Sequence, residues 1–186
     1  MKGFTLIELL IVIAVLAVLS TAVVLVLNPA EILRQSRDST RLSDLSAINN
    51  AISLFLTDVS TTTWVTTPYC TATTTGLPGG GSCTMNATTT VNGLGWVPIN
   101  FGAISVGSPL SKLPIDPLNG AAANGAACSG AVSGCFYVFK PSSTSGTGFG
   151  HYKLMANLES GKYIPKGATD GGVVPDWYEF GSDLSF

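Results

Sequence analysis

Charge is the first thing this sequence is short of. Asp, Glu, Lys and Arg together make up 11% of the 186 residues, against a usual share of about 25%. Mean hydropathy is +0.41, and the two values together point to contact with lipid or to extensive packing against other chains. Nine basic residues against eleven acidic ones leave a formal charge of −2. The basic footprint that polyanion binding requires is missing, so no nucleic-acid site is expected. Residues 59–111 contain no Asp, Glu, Lys, Arg or His at all.

Catalytic parts are equally scarce. Histidine occurs once, as His151, and no serine stands in a GxSxG setting, which leaves hydrolase triads without members. The runs GLPGGGS and GTGFG lack the spacing and the strand-to-helix context of phosphate-binding loops, and they read as turns. None of the four cysteines lies in a CxxC pair, so the ligand spacing of structural zinc sites is absent. This inventory points to no enzyme and calls for no cofactor.

One long hydrophobic run is present, and it lies near the amino terminus. At positions 4–27 every residue is apolar or small except Thr5, Glu8, Ser20 and Thr21, and as a helix the run would measure about 36 Å. That exceeds a bilayer core of about 30 Å. A secretory signal has a shorter apolar region, so the run reads as a retained transmembrane helix. Lys2 precedes it and Arg34, Arg37 and Arg41 follow, so the positive-inside rule assigns no orientation. Glu8 is the anomaly, because a carboxylate at mid-bilayer costs about 3 kcal/mol on insertion scales and normally has a partner or a task. Its bland explanation is a place at the membrane edge, where the cost falls.

Beyond the run, Asn28-Pro29 predicts a kink rather than a stop, since proline offers no amide proton and crowds the preceding turn. Leu42, Leu45, Ile48, Ile52, Phe55 and Val59 then recur at three- and four-residue steps, the pattern of a helix with one buried stripe. Arg41, Asp44, Asn49 and Ser53 are assigned to its opposite face. The helix is expected to end near Asp58.

Cys70, Cys83, Cys128 and Cys135 all lie past the membrane segment, and an even set in an exported head implies two disulfides in an oxidising place. Of three possible pairings, Cys70 with Cys83 and Cys128 with Cys135 is favoured, because each closes a short loop in a Gly-rich stretch. The Thr-rich part of residues 59–111 predicts loops and short strands, with Trp64, Tyr69, Trp96 and Phe101 available for burial. CFYVFK, HYKLMANLE and WYEFGS read as strands, the first two forming an antiparallel hairpin around PSSTSGTGFG. Alternation in the second places Tyr152, Leu154, Ala156 and Leu158 on the face that the helix covers. The fold class is α+β, a long amino-terminal helix packed on a small antiparallel sheet.

Three other features invite a functional reading. Asp170, Asp176, Glu179 and Asp183 cluster in a Gly-rich tail and are candidate calcium ligands, although a solvated loop accounts for them as well. Asp116 in LPIDPLNG reads as a structural turn residue whose carboxylate bonds nearby amides. Asn86-Ala87-Thr88 matches a glycosylation sequon, a triplet that also arises by chance.

The string KGFTLIELLIVIAVLAVL resembles the amino terminus of type IV prepilins and the related pseudopilins, in which a short basic leader ends in glycine and is followed by Phe, Thr, Leu, Ile, Glu. LPIDPLNG and HYKLMANLESGKY are similar, less specifically, to segments of pseudopilin heads. The resemblance implies a leader of residues 1–3, cleaved by prepilin peptidase between Gly3 and Phe4, and N-methylation of Phe4. It implies a filament-core helix at 4–28, an amphipathic half at 29–58 and a head at 59–186, divided into the uncharged region 59–111 and the sheet and tail at 112–186. Glu8 becomes fifth in the processed chain, where the family's proposed pairing joins it to the amine of a neighbouring subunit. The cysteines and the late acids depart from the family's usual disulfide-framed and calcium loops.

The function so implied is that of a filament subunit. Its partners are further copies of itself, the peptidase, the assembly machinery and, before assembly, the inner membrane. A secretion pseudopilin in a short periplasmic filament is the alternative to an extracellular pilus. A membrane-anchored binding module is the third reading.

Overall fold

The computed structural model describes residues 3–59, 65–73, 76–121, 128, 134–142 and 150–186. The chain divides into two compact units, Met1–Arg34 and Gln35–Phe186. The hairpin turn expected at PSSTSGTGFG, and Trp64 among the aromatics expected to be buried, fall outside the described residues except for the turn's first two positions and Gly150.

The first unit is dominated by helix α1 (Leu6–Leu27), started by Thr5. Its hydroxyl-bearing residues do not interrupt the apolar surface, because they bond back into the helix. Ser20 Oγ donates to the Leu16 carbonyl at 2.7 Å, and Thr21 Oγ1 to that of Val18 at 2.8 Å. Such back-bonding satisfies the only polar side chains of the helix besides Glu8. None of the span Leu6–Val24 is buried within the chain, and by length and composition it is apolar enough to cross a membrane.

Helix α1 ends at Asn28, which adopts φ 40° and ψ 72°, and helix α2 (Pro29–Asp58) begins on the next residue. The sequence predicts a kink in a continuous helix; the structure has a full break of one residue. Proline cannot donate to the preceding turn, and asparagine is among the few residues that tolerate the left-handed region.

Within the second unit, α2 lies against a five-stranded sheet of order β2-β1-β3-β4-β5. The strands are β1 (Tyr69–Cys70), β2 (Thr84–Met85), β3 (Tyr137–Pro141), β4 (Tyr152–Ala156) and β5 (Tyr178–Gly181). Strands β3, β4 and β5 form an antiparallel meander with Phe139 opposite Leu154 and Leu154 opposite Phe180. Among the described residues only β1 and β2 pair in parallel, both drawn from the uncharged region. Together these elements make an α+β fold.

Alternation along the strands builds two cores. Tyr137, Phe139, Tyr152, Leu154 and Ala156 face Leu45, Ile48, Ala51, Ile52 and Phe55 of α2. Burying each of the large aliphatic chains contributes about 1.5–3 kcal/mol. The other face carries Phe136, Val138, Met155 and Trp177 with Cys70, Leu77 and Val174. The uncharged region splits in two. Met85 and Leu94 are exposed, whereas Trp96, Val97, Ile99, Phe101 and Ile104 enter the helix-facing core. Trp96 there donates its indole N–H to the Pro114 carbonyl at 3.0 Å. Gly95 is required beside it, since a Cβ would run into the Thr90 carbonyl and the Leu113 side chain.

Candidate functional site

The amino-terminal site is built by helix capping. Thr5 is the N-cap of α1 and Glu8 its third residue, and the two form a complete capping box. Glu8 Oε2 accepts from the Thr5 amide at 2.9 Å and from Thr5 Oγ1 at 2.8 Å, while the Glu8 amide donates to Thr5 Oγ1 at 3.3 Å. This arrangement satisfies otherwise unpaired amino-terminal amides and sets an anion at the positive end of the helix dipole. It gives the anomalous acid a local partner that its place in the apolar run does not suggest, although Thr-x-x-Glu is itself a legible capping signature. Hydrogen bonds to neutral donors leave the charge in place, and Oε1 takes no hydrogen bond among the described residues. Gly3 and Phe4 are exposed ahead of the cap, Phe4 to 87%.

A second polar constellation lies deep in the head. Arg41 is fully buried, not on the outer face of α2 as its polarity predicts. Its Nε and Nη2 donate to the two oxygens of Asp116 at 2.7 and 2.9 Å. Its Nη1 reaches Asp38 at 2.8 Å and Glu159 at 2.5 Å. Arg37 completes a second fork on Glu159 at 2.9 and 2.6 Å. Asp38 also accepts from the backbone amides of Glu159 and Ser160 and from Ser160 Oγ, and Asp116 accepts from the Leu118 amide.

The cluster therefore holds two guanidinium groups, three carboxylates and several amide donors, the pairing that buried charges need. Burial pushes the Arg41 guanidinium down, but Asp116 and Glu159 more than reverse this and hold it above its ordinary range. The hydrogen bonds that Arg37 donates to Glu159 raise Arg37 as well. A signal for this cluster exists in the sequence. Asp38 and Arg41 continue the stripe of Leu45, Ile48, Ile52 and Phe55 backwards at three- and four-residue steps, so spacing places them inward where residue type suggests outward.

Among the described residues the carboxylates of this cluster are all taken up by its guanidinium groups and amides. Cys128 Sγ lies 3.6 Å from Arg41 Nη2, and the ligand atoms of Cys128, Cys135 and Glu159 fall within 4.8 Å of one another. The two sulfurs are joined in a disulfide with Cα atoms 5.2 Å apart, so they offer no thiolates, and the adjacent guanidinium repels a cation. Cys70 and Cys83 form the other bridge, with Cα atoms 5.8 Å apart.

Among the described residues the late acids form no group of three or more with their ligand atoms close together. Asp170 accepts from the amides of Gly172 and Glu179 at 2.8 and 2.6 Å, tying the tail to β5. Glu179 is buried, paired with buried Lys153 and held by the Val174 amide at 2.8 Å. A Cβ at Gly172 would collide with the Glu179 carboxylate, so this loop must pass as bare backbone. Asp183 binds Ser185 and faces His151 at 3.5 Å, and Asp176 is exposed. Asn86 spends both ends of its amide on the Leu94 carbonyl and the Thr88 amide.

Residues 1–24 match the prokaryotic N-terminal methylation motif. The match covers the capping box, the exposed Phe4 and most of α1. No curated protein and no solved structure matches the chain. The amino terminus is thus similar to that of type IV pilin and pseudopilin precursors, and the α+β head joined to it is pilin-like.

Proposed function

We propose that the protein is a structural filament subunit of the type IV pilus kind, and not an enzyme. One observation carries this reading. The methylation motif spans residues 1–24, and its single acid, Glu8, stands on a helix whose span Leu6–Val24 is left unburied among the described residues.

Prepilin peptidase would remove residues 1–3 and methylate the new amine of Phe4. Residues 4–28 would anchor the chain in the inner membrane and later form the filament core. Residues 29–58 would carry the head, residues 59–186. Cleavage at Gly3 creates a positive amine at the apolar edge, four residues from Glu8. Opposite charges attract far more strongly outside bulk water, so the Phe4 amine of one subunit and Glu8 of the next would set the register between helices. The capping box occupies one Glu8 oxygen within the chain, which leaves the other for this contact.

Replacing Glu8 by Ala tests the pairing. The variant should insert in membranes and be cleaved, yet form no ordered fibres; normal fibres would refute the pairing. The disulfide that ties buried Cys70 to half-buried Cys83 in the uncharged region favours an extracellular pilus over a periplasmic pseudopilus, since a surface fibre gains from covalent staples and few charged protease sites. Electron microscopy of filaments sheared from cells, against periplasmic filaments retained by them, separates the two. A tethered binding module, the third reading, predicts an uncleaved leader and tolerance of Glu8→Ala.

A further inference from the structure

The turn at residues 162–166, KYIPK, takes part in neither constellation described above. Lys162, Pro165 and Lys166 are exposed and Tyr163 is half-buried; Ile164 is 45% exposed. Both ammonium groups gather at one ring, Lys162 Nζ at 5.1 Å and Lys166 Nζ at 5.9 Å from the centre of Tyr163. Neither lysine has an ion-pair partner among the described residues, and residues 160–169 contain no acid. In a chain of net charge −2, this is a local basic and apolar projection.

Its position is fixed by the buried cluster. Tyr163 and Ile164 donate their amides to the Ser160 carbonyl, both at 3.0 Å. Ser160 and Glu159 are in turn held by Asp38 and Arg37 at the first residues of α2 within the second unit. That unit begins at Gln35, three residues before Asp38. Only residues 28–34 separate Gln35 from the last residue of α1, a tether of about 25 Å even when fully extended. The KYIPK turn is therefore bonded, through Ser160 and Glu159, to the stretch of the second unit that follows the membrane segment most closely in sequence.

We infer that the KYIPK turn docks on anionic lipid headgroups while the protein resides in the membrane. The inference rests on the reading of α1 as a bilayer anchor. The chemistry of the turn fits the headgroup layer. Lysines beside a bilayer surface are attracted to anionic lipid, tyrosine favours the interface, and an exposed isoleucine and proline enter the boundary between headgroups and acyl chains. Docking holds this turn against the bilayer, and extraction into a filament breaks the contact.

The test uses the full chain in nanodiscs of phosphatidylcholine, with or without phosphatidylglycerol. An amine-reactive reagent labels accessible lysines, and mass spectrometry reads each site, with exposed Lys112 as the internal reference. Labelling of Lys162 and Lys166 should slow by roughly fivefold in the anionic discs, with Lys112 unchanged, and high salt should abolish the difference. Equal labelling in both discs, or equal slowing at Lys112, overturns the proposal while leaving the anchor reading intact. Failure of the chain to remain in any disc overturns the anchor reading and the docking with it.

Discussion

Arg41 and Asp116, 75 residues apart in the chain, meet through two hydrogen bonds with both side chains buried. The pair joins helix α2 to the loop that holds Asp116, and it lies at the centre of a five-residue charge cluster. Because Arg41 is shared by three carboxylates, it should be the least replaceable polar residue of the head.

Replacing Arg41 by Ala should destabilise the head by about 3–5 kcal/mol, since it leaves buried carboxylates uncompensated. Urea unfolding of the full chain in detergent measures this. A double-mutant cycle with Asp116→Ala should show coupling of about 0.5–3 kcal/mol; additivity would mean that the pair does not hold the loop.

Acid should weaken the head through Glu159. Burial alone pushes its carboxyl up, but the hydrogen bonds from Arg37 and Arg41 outweigh burial and leave it below its ordinary value. A depressed acid binds fewer protons in the folded than in the unfolded state. Its stabilisation is thus complete above the unfolded value of about 4.3 and is lost as pH falls through the lower folded value. Glu159→Gln should flatten this acid limb in an unfolding series against pH.

Asp44 works in the opposite direction. Burial raises its carboxyl above the ordinary value, and the hydrogen bond from Tyr137 reverses this only in part. Its contribution is favourable below the unfolded value of about 3.9 and is lost as pH rises through the folded one. Asp44→Asn should therefore stabilise the head at neutral pH, with the gain vanishing in acid. Equal effects at both pH values would contradict the assignment.

The two disulfides close sequence separations of 13 and 7 residues. In the chain-entropy account, opening them should cost about 3 and about 2.5 kcal/mol respectively. Unfolding of the Cys70→Ser/Cys83→Ser and Cys128→Ser/Cys135→Ser variants, each compared with wild type, checks both.

Binary patterning alone locates the apolar helix, the stripe of α2 and the β3, β4 and β5 meander, because single periodicities of 3.6 and 2 run through those segments without interruption. The full break at Asn28 is less legible, since Asn-Pro is compatible with a bend or a stop and the left-handed asparagine is a choice of geometry. The parallel pair of β1 and β2 has two residues per strand, too few for any period to show. The Arg41 cluster is hidden for another reason. A charged residue on a buried stripe reads as surface when its partners are distant in the chain, and Asp116 and Glu159 come from segments that only the fold unites. Glu8 invites a reading as a contact between chains, while its local role, the capping box with Thr5, lies in the Thr-x-x-Glu spacing itself.

Gly3→Leu should block cleavage while leaving α1 able to insert. The variant should accumulate in the membrane fraction with its first three residues attached and form no fibres. Fibres assembled from uncleaved chain would contradict the proposed order of events.

The most direct measurement is mass spectrometry of the amino-terminal peptide from the natural protein. The proposed processing predicts a peptide that begins at Phe4 and carries one N-methyl group. A peptide that still begins at Met1, isolated from assembled fibres, would contradict it.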